Sequence, residues 1–140
     1  MTQGVPAHFH RANFLELPYA PASFDVILLL SIMYSAIPGA AQRQKWLAEL
    51  GRLLTPNGLV MLSFLREPQS VSRQKVVYTR LNMMLVNLPG ANMAYQPGDE
   101  WSWGHFYHAF QDEDEIRREL VGAGVMVREL HWTQGLALVV

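Results

Sequence analysis

The residues best able to do chemistry sit in one stretch, "EWSWGHFYHAF", from Glu100 to Phe110. It sets His105 and His108 among Trp101, Trp103, Phe106 and Tyr107. Imidazole changes charge near neutral pH, so either histidine can serve as general base toward a hydroxyl or an acidic carbon. The four aromatics can wall an apolar substrate. The competing reading is structural: the aromatics pack the segment onto a sheet, and the histidines sit at surface or capping positions. His105-x-x-His108 and His8-x-His10 also raise metal binding. A metal site needs three or four convergent ligands, and no third partner is spaced to join either pair, so no metal is predicted. Gly122-Ala123-Gly124 is a decoy. A nucleotide loop runs from strand into helix, with helix amides facing the ligand, whereas this one runs from helix into strand and reads as a helix cap.

Those residues need a scaffold, and the bulk numbers bound it. The chain has 140 residues, half of them apolar, and a formal charge of -1. That suffices for one domain with a real core. A near-neutral charge gives no basic face for nucleic acid. There is no cysteine, which excludes disulfides and thiolate zinc sites and fits a reducing compartment. No apolar run approaches a membrane span, and "MTQGVPAHFH" lacks the regions of a signal peptide. The expectation is a soluble, cytoplasmic domain.

The elements follow from periodicity. Ala7–Arg11 is a weak strand candidate, and Asn13–Ser23, with two prolines, is a loop. Asp25–Leu30 is a continuous aliphatic run, as suits a strand buried on both faces. A helix over Ala40–Leu54 presents Trp46, Leu47, Leu50, Leu53 and Leu54 as one stripe. "TPNG" (Thr55–Gly58) ends it, and Leu59–Leu65 is a second buried strand. Strand, helix, strand in this order argues a βαβ unit with a parallel sheet. A further helix is predicted over Val71–Leu88, with Val77, Leu81, Met84, Leu85 and Leu88 on one side and Arg73, Lys75 and Arg80 on its polar side. Ala91–Phe110 reads as irregular. Asp112 and Glu115 form a capping box for a helix ending near Ala123, and Val125–Leu130 and Leu136–Val140 form a hairpin.

Three segments in this order resemble class I S-adenosylmethionine-dependent methyltransferases of the small-molecule type. They are "NFLELPYAPASFDVILLLSIMYSAI", "WLAELGRLLTPNGLVMLSF" and "FQDEDEIRRELVGAGVMVREL". They are similar to the family's fourth strand with its lead-in, its next helix and fifth strand, and its final helix and hairpin. The resemblance implies an α/β, Rossmann-like, mostly parallel sheet with a C-terminal antiparallel hairpin. It implies S-adenosylmethionine as cofactor and a small-molecule substrate. It also implies an incomplete domain over 1–140: the family's glycine-rich loop and first two strands have no counterpart, which leaves Asp25–Leu30 with an exposed edge. Residues 66–110 correspond to a substrate lid.

By the same resemblance, Asn13 stands where the family often has an acid near the adenine amine, and Phe14 can cover the adenine ring. Their structural alternatives are a local turn bond and core packing. Leu30, Ser31 and Tyr34 lie at the carboxyl end of the fourth strand, where the methionine arm would sit. Trp101, Trp103, Phe106 and Tyr107 become the substrate wall, and His105 and His108 the candidate bases. The family often has a histidine near Ser35, and none stands here. Asp25, at the far end of its strand, reads as structural. As 140 residues, the chain is not expected to be a competent enzyme alone. The rival readings are a non-catalytic fragment whose sheet edge pairs with a partner or with itself, and a small α/β enzyme that uses a different cofactor.

Overall fold

A computed structural model describes residues 7–68, 73–85, 88–89, 95–102 and 104–140. The elements are β1 (Phe24–Leu29), α1 (Ala40–Leu53), β2 (Leu54–Ser63), β3 (Leu65–Arg66), α2 (Arg73–Leu85), β4 (Asp99–Ser102), β5 (His105–Phe110), α3 (Glu113–Gly122), β6 (Val127–His131) and β7 (Leu136–Val139). The main sheet has the order β1-β2-β7-β6. β1 and β2 run parallel, with α1 between them in sequence; β7 is antiparallel to both β2 and β6. This is the βαβ unit and closing hairpin that the apolar periodicity implies, except that Thr55–Gly58, read as a turn, lies within β2, which begins at Leu54 where α1 ends.

One face of this sheet is dry. Leu29, Val60, Leu62, Ala137 and Val139 alternate inward and meet Trp46, Leu47 and Leu50 of α1 and Ile116 and Leu120 of α3. Burying each such side chain contributes roughly 1.5–3 kcal/mol. The opposite face differs from expectation. β1 is buried on one side only: Val26 is 52% and Leu28 55% exposed, and Leu30 just beyond the strand is also exposed. No described element covers that side, and β1 is the end strand of the sheet.

The β1–β2 register is tight at its start. A Cβ on Gly58 would lie 3.1 Å from the carbonyl oxygens of Phe24 and Asp25, so glycine there lets the strands approach. Asp25 accepts a hydrogen bond from the Thr55 hydroxyl at 2.9 Å, a structural role at the strand's opening.

A second, three-stranded sheet has the order β3-β5-β4, β3 parallel and β4 antiparallel to β5. Its presence corrects the irregular reading of Ala91–Phe110. Glu100 faces Tyr107, and Trp101 faces Phe106. Such aromatic cross-strand pairs stabilise an antiparallel ribbon, and Gly104 takes the turn with φ of 78°. No strand forms over residues 7–12. α2 has narrower bounds than the predicted helix, and its apolar residues Val77, Leu81, Met84 and Leu85, with Leu88 beyond its end, are exposed. No described element packs along them.

Candidate functional site

The carboxyl end of β1 opens into a turn with uncommon backbone geometry. Ser31 and Ile32 both have φ of 56°, the left-handed region that side-chain-bearing residues avoid. Each such residue costs roughly 1–3 kcal/mol and persists only where its surroundings hold it. Ser63 does so here. Its hydroxyl accepts from the Ile32 backbone N–H at 2.8 Å and donates to the Leu29 carbonyl at 3.2 Å. Leu30 and Ser31 are therefore presented at the surface, at the end of a parallel strand.

Beside this turn lies a groove of about 430 Å³, within the range of small-molecule sites. Phe14, Tyr19, Val26, Leu28, Met33 and Trp46 line it. Phe14 stands edge-on to Trp46, ring centroids 5.5 Å apart, and Tyr19 edge-on to Phe24 at 5.0 Å. The loop that forms the outer wall is clamped to α1. The Leu17 N–H donates to Glu49 Oε1 at 3.2 Å, and Arg52 donates to the Tyr19 carbonyl at 3.1 Å and to Glu49. The hydrogen bond from Arg52 lowers the Glu49 pKa, so this clamp is charged at neutral pH. Asn13 does not line the groove. Its amide oxygen accepts from the Leu15 N–H at 3.1 Å, a local turn bond.

Behind the turn the chain buries charge. Tyr34 is fully buried and stacks on Phe110, centroids 6.2 Å apart. Burial, and then the nearby Glu119 carboxylate, push its phenol pKa far up, so it stays protonated. Arg43 on α1 is also fully buried. It donates to both Glu119 carboxylate oxygens at 2.7 Å and to the Ile37 carbonyl at 3.0 Å, with its guanidinium 5.4 Å from the centre of the Phe110 ring. Ser35 joins three elements: its hydroxyl accepts from the Leu65 N–H at 2.8 Å, and its carbonyl from the His108 N–H at 2.9 Å.

The structure thus separates the residues the sequence singled out. Phe14 is in the groove, with Leu30 and Ser31 at the adjoining strand end. Tyr34 is in the core. On the β4–β5 hairpin, Trp101 is 72% exposed, His105 is exposed, and Phe106 and Tyr107 are half-buried. His108 is buried, with Asp99 and Glu115 about its ring. Trp103 lies outside the described residues. Sequence reasoning missed Arg43, Glu119, Ser35 and Ser63. A signal existed for the first two: Arg43 falls on the stripe of Trp46 and Leu47, and Glu119 on that of Ile116.

Residues 2–62, a little under half of the chain, match the family model of the methyltransferase domain. No curated protein sequence matches. Among solved structures, an S-adenosylmethionine-dependent methyltransferase of Methanosarcina mazei superposes with a TM-score of 0.64 at 19% identity, over 97% of this chain and 66% of that one. One from Clostridium acetobutylicum gives 0.61 at 12% identity, over 99% and 66%. The 1,6-didemethyltoxoflavin-N1-methyltransferase of Burkholderia thailandensis, solved with 1,6-didemethyltoxoflavin and S-adenosylhomocysteine bound, gives 0.52 at 19%, over 91% and 46%. The chain therefore spans about two thirds or less of the length of these structures. The sequence thus matches the methyltransferase-domain model over residues 2–62, and the fold is shared with solved S-adenosylmethionine-dependent methyltransferases. The resemblance read from the three segments is borne out, in sequence over residues 2–62 and in fold over nearly the whole chain.

Proposed function

We propose that this chain serves S-adenosylmethionine-dependent methyl transfer to a small molecule. The observation that carries the reading is the joint match, in sequence over residues 2–62 and in fold over 97% of the chain. When bound, the cofactor supplies an electrophilic methyl group on a sulfonium. The groove fits its flat adenine, with the Phe14 ring as an apolar wall. Leu30 and Ser31, on the turn braced by Ser63, stand where the methionine arm would lie. Among the groove's described lining residues there is no Asp or Glu to hold the ribose hydroxyls. The described residues thus offer an apolar wall and a strand end.

Residues 66–110 act in this reading as the substrate lid. Trp101, Phe106 and Tyr107 exclude water and orient an apolar substrate. His105, exposed beside them, is the candidate base. His108 is not, because Asp99 and Glu115 already engage its ring. The Burkholderia neighbour, which acts on a small heterocyclic compound by its name, supports the small-molecule class. No described helix is long and apolar enough to cross a membrane, and the absence of cysteine supports a reducing, cytoplasmic setting.

Calorimetric titration of the folded chain with S-adenosylhomocysteine tests this. Stoichiometric, micromolar binding is expected if the groove and turn suffice, and Phe14→Ala should weaken it about tenfold, or roughly 1.4 kcal/mol. A folded chain without measurable binding would remove it as a cofactor-binding unit on its own.

A second reading rests on a separate observation, the open β1. An end strand with exposed Val26 and Leu28 and no guarding charge past Asp25 invites pairing with a partner strand or a second copy. Sedimentation decides whether the chain associates with itself: a monomer at tens of micromolar rules out the second copy.

A further inference from the structure

Between α3 and the hairpin that carries the candidate substrate wall lies a buried imidazole, beside the apolar packing of Phe110 with Ile116 and Leu120. His108 is 1% exposed. Asp99, its cross-strand partner on β4, places Oδ1 2.8 Å from His108 Nδ1. Glu115, in the first turn of α3, places Oε1 3.4 Å from His108 Nε2, an ion-pair contact too poorly aligned for a hydrogen bond. Other charged and titratable groups face this spot. Arg43 of α1 is paired with Glu119 of α3, and its charge still acts on His108. Tyr34, in the loop after β1, stays protonated.

Neutral imidazole has one N–H and one bare lone pair. With the proton on Nδ1, Asp99 is satisfied but the Nε2 lone pair faces the Glu115 carboxylate. With the proton on Nε2, the Nδ1 lone pair faces Asp99. Only the imidazolium presents a proton to both carboxylates. We propose that His108 is a proton-dependent latch: as the imidazolium it ties the β4–β5 hairpin to the first turn of α3, and its deprotonation loosens the hairpin.

The balance of forces on the proton agrees. Burial by itself lowers the His108 pKa, and the Arg43 charge lowers it further. The hydrogen bond to Asp99, then the contact and charge of Glu115, outweigh both and raise it. A histidine whose folded pKa lies above its unfolded value contributes stability that is full below about pH 6.5 and lost as pH rises through the folded value. The latch therefore holds below the ordinary imidazole value and loosens as pH rises through the raised folded value. Its geometry stands independently of methyl transfer; only its consequence, control of the substrate wall, rests on the function proposed above.

The test uses the full chain without cofactor, so it fails or succeeds separately from cofactor binding. Nitrogen-15 NMR follows the His108 ring from about pH 5 to about pH 9 while hydrogen exchange, corrected for intrinsic rate, follows the β4–β5 amides. Expected is a His108 titration above 6.5, with hairpin protection falling over the same interval while β2 and β7 stay protected. Each pH unit by which the folded value exceeds the free one corresponds to about tenfold in that protection. Glu115→Gln should move both events to lower pH together. That variant keeps an amide oxygen for the Gln111 N–H, which donates to Glu115 Oε2, so the helix start is preserved. His108→Gln should abolish the pH dependence; if it does not fold, Glu115→Gln still decides. Titration below the free value, or hairpin protection indifferent to the titration, overturns the latch.

Discussion

At the scale of residues, the Arg43–Glu119 pair commits two opposite charges to the interior. Both lie on otherwise apolar helix stripes and meet in a two-pronged contact under Phe110. Taking both charges from water is costly, so the pair adds little net stability by itself. Breaking it is another matter. Glu119→Gln leaves a buried guanidinium without its counter-charge, and a loss of roughly 3–5 kcal/mol is expected in urea denaturation. Replacing both residues by Met should recover most of that loss. A Glu119→Gln cost below about 1 kcal/mol would mean that Arg43 finds water instead. The local pattern showed where these residues lie, because Arg43 shares a face with Trp46 and Leu47. What it could not show is that α1 and α3 pack together and bring the two charges into contact. Asn13 is the reverse case. Its type allowed both a ligand bond and a turn bond, and the nearby Leu15 N–H takes its oxygen.

At the scale of elements, legibility followed how local the determining interaction is. The start of α3 was legible in its cap residue, although Glu115 bonds the N–H of Gln111 rather than that of Asp112 as the capping box implied. Asp112 accepts from the Glu115 N–H at 2.8 Å, and the Glu115 carboxylate reaches back to the Gln111 N–H at 2.6 Å. Asp112→Ala should therefore cost about 1 kcal/mol in thermal or urea unfolding, with Asp112→Asn near neutral. Equal losses for Ala and Asn would argue that charge at the helix start, rather than the cap bond, does the stabilising. The β1–α1–β2 unit was legible for a similar reason, since each piece carries its own period. The β4–β5 hairpin was not. Its aromatic and histidine residues fit a strand, but the pairing that makes it one joins Glu100 to Tyr107 and Trp101 to Phe106 across the turn. α2 shows the opposite failure. Its residues favour a helix, and a helix forms, but its apolar side is exposed among the described residues.

At the scale of the whole molecule, the main sheet is covered on one face and open on the other along β1. The run Val26–Leu30 reads as a strand meant for burial on both sides. That reading holds for Leu29, which is in the core, and fails for Val26, Leu28 and Leu30. A sequence records what a strand is suited to bury; it does not record whether the same described residues supply the cover. The distinction is open to measurement at Leu28. In this structure Leu28 contributes little to the chain's own core, so Leu28→Lys should change unfolding stability by no more than about 0.5 kcal/mol. If another polypeptide segment or a second copy lies on β1, the same substitution should abolish that association, because a charge would be buried in a strand-to-strand contact without a partner. Denaturation and sedimentation of the one variant read the two effects separately. Unchanged stability with lost association assigns the β1 surface to a partner. A loss of about 2 kcal/mol or more in an unassociated chain would instead mean that Leu28 is packed within its own fold, contrary to its exposure here.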